Sequence, residues 1–199
     1  MEGVRSIEKP LKVAVLLADF ERPWFIAGGW AIDLCLGRMT RAHKDIEIAI
    51  LRDDQHAIRK HLTGWEFRKV LPRTGGRMEP WHEGEWLAMP VHEIHAHSES
   101  GDPSALEILL DESSEEQWRF RRSLEVTRPL SMIGMRSDEG VPFLSPEIVL
   151  LYKATSLRIQ DHDRADFENA RPFLGGERLH WLRQAIERYR PGHPWLADL

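Results

Sequence analysis

Hydrophobic and polar positions alternate cleanly along residues 43–51, His-Lys-Asp-Ile-Glu-Ile-Ala-Ile-Leu. Three isoleucines at alternate positions fall on one side of an extended chain, and Asp45 and Glu47 fall on the other. A period of two residues is typical of a half-buried β-strand. The pattern therefore predicts a strand over 43–51 whose polar face carries two carboxylates.

The segment before this strand predicts a strand, a tight turn and a short helix. Residues 24–27 form an apolar run that ends at Gly28 and Gly29, and residues 30–36 look helical up to Gly37. An apolar run that ends in glycines is typical of a buried strand entering a turn. Glycines let the backbone approach a phosphate closely, and a helix N-terminus behind them adds NH donors.

The rest of the chain alternates between short strands and helices up to about residue 143 and becomes helical after it. Ser145 followed by Pro146 is typical of a helix start. The sequence predicts an α/β (α+β) fold with a mixed β-sheet flanked by helices at 1–143 and a helical region at 144–199. The other expected elements are helices at 7–20, 55–62 and 112–122, strands at 65–71, 85–89, 91–97, 105–110, 126–130 and 131–136, a loop at 72–84, and later helices at 163–173 and 180–189.

Composition narrows the class of partner. The chain has 199 residues and a net charge of −5, and a mildly acidic chain is a poor candidate for binding duplex nucleic acid. It fits a cationic or neutral small molecule better. No segment approaches the roughly 18 consecutive apolar residues of a membrane span, so we expect no membrane partner. A single cysteine, Cys35, indicates no disulfide framework and favours the cytoplasm.

Three carboxylates are candidates for binding a cation. Asp45 and Glu47 lie two apart on a predicted strand, so they can converge on one ion, and Mg²⁺ prefers such oxygen ligands. Glu107 stands alone among apolar residues of the next candidate central strand, where an unpaired carboxylate is costly to bury. As a general base it could accept a proton from a substrate hydroxyl. The alternatives are a solvated strand face for the pair and a salt bridge to an arginine for Glu107.

Several basic side chains have two interpretations. His92, His95 and His97 suggest zinc, but only His95 and His97 share a strand face, and no third ligand is evident at suitable spacing. We therefore favour a solvated or substrate-facing hairpin. His43 belongs either at the rim of the carboxylate site or behind it as a hydrogen-bond partner. Arg41 could contact phosphates or water.

Longer motifs carry a resemblance to a known family. The stretches GGWAIDL at 28–34, GRMTRAHKDIE at 37–47 and LSPEIVLLYKA at 144–154, with Asp166-Phe167, resemble the signature of the aminoglycoside and lincosamide nucleotidyltransferases. These are small members of the nucleotidyltransferase superfamily, related in fold to DNA polymerase β. The resemblance covers about residues 24–196.

The resemblance implies a nucleotidyltransferase fold and an activity. The family transfers a nucleoside monophosphate, usually AMP from ATP, to a hydroxyl of a small molecule and releases pyrophosphate, with Mg²⁺ as the metal. The resemblance does not decide whether this chain confers antibiotic resistance. By motif match, the catalytic and metal-binding residues would be Asp45, Glu47 and Glu107. Gly28 and Gly29 would lie at the triphosphate, and Lys153 would face the phosphates. Arg41 is added to the nucleotide-binding candidates from its charge alone and not from the motif match.

Two departures from the family pattern keep an alternative open. The second acid of the pair is usually Asp, and here it is Glu47, which is one methylene longer; Gln160 stands where a lysine is common. The departure at Glu47 suggests, as the alternative, a weak or inactive nucleotide-binding or antitoxin-like module. Transfer to RNA is disfavoured by the acidic pI, whereas a protein acceptor stays open.

Overall fold

A computed structural model describes residues 7–199, so the first six residues of the predicted unit 1–143 lie outside it. Within that range the chain forms a mixed ten-stranded sheet with six α-helices, which confirms the predicted α+β class. The strand order is β4-β3-β5-β6-β2-β1-β10-β9, and β7 and β8 extend from β6 as a second ladder. The strands are β1 (Trp24–Ile26), β2 (Glu47–Leu51), β3 (Glu66–Val70), β4 (Met78–Pro80), β5 (Glu93–His97), β6 (Ala105–Ser114), β7 (Gln117–Arg119), β8 (Thr127–Pro129), β9 (Gly134–Arg136) and β10 (Pro142–Leu144).

The helices cover the sheet and each other. They are α1 (Glu8–Leu16), α2 (Gly28–Leu36), α3 (Gln55–His61), α4 (Pro146–Lys153), α5 (Asp161–Ala170) and α6 (Gly176–Tyr189). The hydrophobic α2 packs against α4 and α5, and α4 packs against α6. The C-terminal helices are therefore joined to the sheet through α2. Within residues 7–199, no helix combines the length and the apolar character needed to cross a bilayer.

Two central strands position the carboxylates. β2 pairs in parallel with β6, and Glu47 lies opposite Glu107 in that register. Ile48, Ala49 and Ile50 of β2 are all buried because the strand is covered on both faces. The pairing therefore fixes the first residue of β2 beside the third residue of β6.

The helix predicted at 112–122 is wrong. β6 continues to Ser114, turns at Glu115 with a φ of 55°, and returns as β7. The reason is tertiary: Trp118 is fully buried and donates from Nε1 to Asp111 Oδ2 at 3.0 Å, a contact that a hairpin permits. Glu115 and Glu116 form the turn, and Glu112 belongs to β6.

Two strand predictions also need correction. The strand expected at 43–51 begins only at Glu47, since the preceding residues are tied to α2, with Trp30 Nε1 donating to the Asp45 carbonyl at 3.1 Å. The strand expected at 85–89 is irregular. There the Leu87 NH donates to Gln55 Oε1 at 2.7 Å and its carbonyl accepts from Arg52, so side chains replace a strand partner. The loop predicted at 72–84 contains the short strand β4.

Candidate active site

A row of polar side chains crosses three neighbouring strands. Glu47 of β2 lies opposite Glu107 of β6, and Glu107 lies opposite His95 of β5. Side chains at directly opposed positions lie on the same face of a sheet. The structure thus brings the predicted Glu47 and Glu107 together and adds His95 beside them.

Gly28 makes room for one of these carboxylates. It is the first residue of α2, with a φ of 58°, and a Cβ built on it would lie 1.6 Å from Glu47 Oε2. Any side chain at this position would displace the Glu47 carboxylate. The glycine predicted to lie at a triphosphate therefore brings the start of α2 against a carboxylate of the candidate metal site.

Burial and mutual repulsion outweigh the positive charge near the two carboxylates. Burial raises the pKa of Glu47, and the Lys153 charge opposes this rise while Glu93 adds to it. Burial also raises the pKa of Glu107 to about 7; the His95 charge opposes this, and repulsion from Glu47 and Asp45 adds to it. Within residues 7–199, no hydrogen bond or ion pair holds the Glu47 carboxylate.

Carboxylate oxygens are the ligands that a hard divalent cation such as Mg²⁺ prefers, and a cation would relieve the repulsion. Within residues 7–199, however, Asp45, Glu47 and Glu107 do not form a group with one oxygen each inside 4.8 Å, so these side chains would have to move to share one ion. Asp45 precedes β2 and its side chain is 48% exposed, so its carboxylate is accessible at the edge of the site. The predicted pair is thus one strand residue and one residue of the preceding bend, and not two residues of one strand.

A buried aspartate holds the segment that carries Asp45. Asp33 of α2 accepts hydrogen bonds from the Thr40 NH at 2.9 Å and the Thr40 hydroxyl at 2.6 Å, and His43 Nε2 lies 2.5 Å from its other oxygen. The His43 ring packs on Trp30 with centroids 4.4 Å apart. His43 therefore acts behind the site. Asp33 was not among the predicted site residues, although an acid inside the apolar helix α2 is a signal visible in the sequence.

The two predicted basic residues meet at a second buried aspartate. Arg41 donates to Asp166 at 3.1 and 3.0 Å, and Lys153 Nζ lies 2.9 Å from Asp166 and 2.7 Å from Asp163. Burial alone would raise the pKa of Asp166, but the Arg41 hydrogen bonds and the Lys153 charge hold it below its ordinary value. A Cβ on Gly29 would lie 2.2 Å from Arg41 Nη2, so this glycine makes room for the arginine.

A cleft of about 330 Å³ opens between the sheet and the C-terminal helices. Gly28, Glu47 and Lys153 line it, together with Arg121 and Tyr152. The Arg121 side chain is only 8% exposed, stacks on the Tyr152 ring at 4.1 Å and lies 3.4 Å from Asp111. Arg121 could not be found from the sequence, because the polar pattern of residues 112–122 predicts a helix where the chain forms a hairpin.

A second cavity of about 500 Å³ lies on the other side of the carboxylates. Asp45 and Glu107 line it, with His95 from β5, Lys44 from the bend and Lys9 from α1. Glu47 faces the first cleft, whereas Asp45 and Glu107 face the second cavity. The carboxylates therefore stand between two spaces, as a group that acts on two bound molecules would.

A family model described as aminoglycoside-2''-adenylyltransferase matches residues 10–169. The chain belongs to this family. Two curated relatives called 2''-aminoglycoside nucleotidyltransferase, from Escherichia coli and Klebsiella pneumoniae, are each 34% identical to it over 102 residues. The matched stretch covers 47% of this chain and 57% of each relative, so the chain spans somewhat more than half the length of these relatives.

Solved structures support the same fold. A crystal structure of ANT(2'')-Ia in complex with adenylyl-2''-tobramycin has a TM-score of 0.56 and 20% identity, covering 92% of this chain and 98% of that one. A lincomycin-bound lincosamide adenylyltransferase, LnuA, has a TM-score of 0.57 and 16% identity, covering 85% and 98%. The resemblance seen in the sequence motifs is confirmed, and the fold is that of the nucleotidyltransferases.

Proposed function

We propose that this chain is a nucleotidyltransferase that transfers AMP from ATP to a hydroxyl of a small molecule, aminoglycoside- or lincosamide-like, and releases pyrophosphate. The observation that carries the proposal is the register of β2 and β6, which sets Glu47 beside Glu107 next to Gly28. ATP as the donor, Mg²⁺ as the cation and a cytoplasmic setting are parts of this proposal. Family membership and the names of the relatives support the transfer class.

Asp45, Glu47 and Glu107 would hold the cation. When bound, it would neutralise triphosphate charge and orient the reacting phosphate. Glu107 faces the second cavity, where an acceptor hydroxyl can reach it, and takes the hydroxyl proton on a carboxylate oxygen.

Basic residues of the first cleft would bind the triphosphate. Lys153 and Arg121 both lie at the wall that contains Glu47, and Arg121 Nε is buried without a hydrogen-bond partner in the structure. Arg121 is also held in place by Tyr152 and Asp111, so little entropy is lost when it binds a phosphate. Transfer would then depend on positioning and electrostatic stabilisation of the phosphorus centre.

The test is pyrophosphate release from ATP and Mg²⁺, with pooled aminoglycosides, lincosamides and sugar alcohols as acceptors. We expect release that depends on one pool and disappears in Asp45→Asn. Asp53→Asn, which changes an exposed acid just beyond the other end of β2, is the matched control and should keep full activity. Full activity in Asp45→Asn would overturn the assignment of the metal ligands.

A second candidate is a nucleotide-binding module without transfer activity, favoured by Glu47 at a position where the family usually has Asp. It predicts that Mg²⁺ and ATP bind together while no acceptor pool releases pyrophosphate. Glu47→Asp separates the two candidates. If that change creates activity absent from the native chain, the longer carboxylate is what prevents transfer.

A further inference from the structure

Beside the carboxylate pair, β5 contributes two more side chains that can bind a metal. His95 Nε2 lies 2.9 Å from Glu93 Oε1 and 3.9 Å from Glu107 Oε1. One ligand atom from each of these three residues lies within 4.8 Å of the others. Among residues 7–199, this is the group of three His, Cys, Asp or Glu side chains that meets that distance.

We propose that Glu93, His95 and Glu107 form a second cation site, which takes a borderline transition metal such as Zn²⁺ and shares Glu107 with the magnesium site. The proposal relies on the proposed function only for that shared residue. An imidazole with two carboxylates suits Zn²⁺, whereas Mg²⁺ prefers oxygen ligands alone. The ligand chemistry thus separates this site from the all-carboxylate set of Asp45, Glu47 and Glu107.

The backbone holds the three ligands in place before any metal arrives. His95 and Glu107 are directly opposed in the antiparallel ladder of β5 and β6, and Glu93 lies two residues before His95 on the same face. The intervening Ile94 and the following Ala96 are buried, which fixes the strand against the core. A binding site on paired strands loses little conformational freedom when the ion binds.

The site is also open to solvent on one side. The three side chains are partly exposed, and His95 and Glu107 line the cavity of about 500 Å³. Zinc sites with three protein ligands keep the fourth position for water or substrate, and this cavity offers that space. An ion held here would engage Glu107 and so withhold it from accepting a proton, which makes the site a point of inhibition by zinc.

The experiment is titration of the untagged, metal-free full-length protein with Zn²⁺ by calorimetry, and with Co²⁺ by visible absorption. His95→Ala should weaken Zn²⁺ binding at least about tenfold and abolish the Co²⁺ absorption band. Removing a residue that only hydrogen-bonds to a metal ligand already lowers metal affinity about 10- to 100-fold, so removing a ligand itself should lower it at least as much. Glu93→Gln should also weaken binding. His97→Ala, on the same strand and face but outside the group, is the matched control and should bind as the native chain does.

Two results would overturn the site. One is equal Zn²⁺ affinity in the native chain and His95→Ala with circular dichroism unchanged, which would leave only an ion pair between His95 and the two glutamates. The other is an equal loss in His97→Ala, which would indicate nonspecific binding by surface histidines. Asp45→Asn distinguishes the two proposals, because it should remove ATP-dependent pyrophosphate release and keep Zn²⁺ binding. His95-dependent zinc binding in a chain without transfer activity would refute the proposed function alone.

Discussion

Gly28 has a φ of 58° and Gly37 a φ of 63°, so both adopt the left-handed conformation that other residues disfavour. A Cβ on Gly28 would meet Glu47 Oε2, whereas one on Gly37 would meet nothing within 4 Å. Alanine should cost about 1–2 kcal/mol of unfolding free energy at either position, because the backbone strain is the same. Only Gly28→Ala should also abolish pyrophosphate release, since it displaces the Glu47 carboxylate.

The two variants are compared by urea denaturation and by the transfer assay. Gly37→Ala serves as the control for backbone strain. If Gly28→Ala keeps native activity, the Glu47 carboxylate does not need the space above the glycine, and the assignment of that residue as a metal ligand fails.

Single residues were predictable where chemistry and spacing coincide. The alternation around Glu47 and the isolation of Glu107 among apolar residues placed both on central strands, and the register brings them together. A zinc role for His95 was disfavoured because no third ligand was evident in the sequence, and the relation of His95 and Glu93 to Glu107 exists only once β5 pairs with β6. The binding and catalytic roles of all the predicted site residues stay predictions: Asp45, Glu47, Glu107, Gly28, Gly29, Arg41 and Lys153.

At the scale of elements, the bend between α2 and β2 depends on Asp33. Its carboxylate accepts from the Thr40 NH and hydroxyl and lies against His43. Asp33→Ala should lower the unfolding free energy by several kcal/mol, about 1–3 for each buried donor left unpaired. It should also lower transfer activity, since this bend carries Asp45.

Thr40→Val is the matched control, because it removes one hydroxyl donor and keeps the backbone NH and the aspartate. It should cost about 1 kcal/mol and leave most activity. Thermal melts measure the stability of the two variants, and the transfer assay measures their activity. An equal loss in the two variants would indicate that the hydroxyl, and not the carboxylate as a whole, orders the bend.

The contact of α5 with the bend predicts a pH dependence of stability. Asp166 pairs with Arg41 and Lys153, and its folded pKa lies below its ordinary value. An acid with a lowered folded pKa stabilises the fold above its unfolded pKa, about 3.9, and loses that contribution as pH falls through the folded value. Asp166→Asn should therefore cost about 3 kcal/mol at pH 7, and the difference from the native chain should shrink below about pH 4.

Urea denaturation at pH 7 and at pH 3 measures this difference. Asp138→Asn, at an exposed position, should track the native chain at both values. A difference that stays constant between the two pH values would mean that Asp166 contributes through packing and not through charge.

Whether an element could be predicted depended on how local its stabilising contacts are. Helix α4 begins at Pro146 as the Ser145-Pro146 pair predicts, because the start signal lies within the element. The hairpin of β6 and β7 could not be found this way, since the buried Trp118 and its bond to Asp111 come from chain reversal. A polar run with helical composition therefore became the turn of a hairpin.

At the scale of the whole molecule, the first cleft lies between the sheet and the junction of the hairpin β7–β8 with α4. Glu47 lines the cleft from the sheet, whereas Arg121 of the loop that joins β7 to β8 and Tyr152 and Lys153 at the end of α4 line it from this junction. The division of the chain into a catalytic unit at 1–143 and a helical region at 144–199 stays a prediction. Residues from both sides of that boundary line the first cleft.

Arg128 of β8 holds the junction with a buried charge. Its side chain is 2% exposed, its guanidinium lies 2.9 Å from the fully buried Glu147 of α4, and it stacks over Trp181 of α6 at 4.8 Å. Removing Arg128 leaves the buried Glu147 with the more distant Arg178, at 3.7 Å, as its positive partner. Arg128→Met should therefore lower the unfolding free energy by about 3–5 kcal/mol, measured by urea denaturation at pH 7.

The double variant Arg128→Met/Glu147→Leu decides the cause, since it replaces both charges with apolar groups of similar size. It should recover most of the lost stability, because a buried pair contributes little beyond its own desolvation cost. Glu177→Gln, which changes the other partner of Arg128 and is 64% exposed, should cost no more than about 1 kcal/mol. If the double variant is no more stable than Arg128→Met, the stacking of the guanidinium on Trp181 holds the hairpin to the helices, and the charge of Glu147 does not.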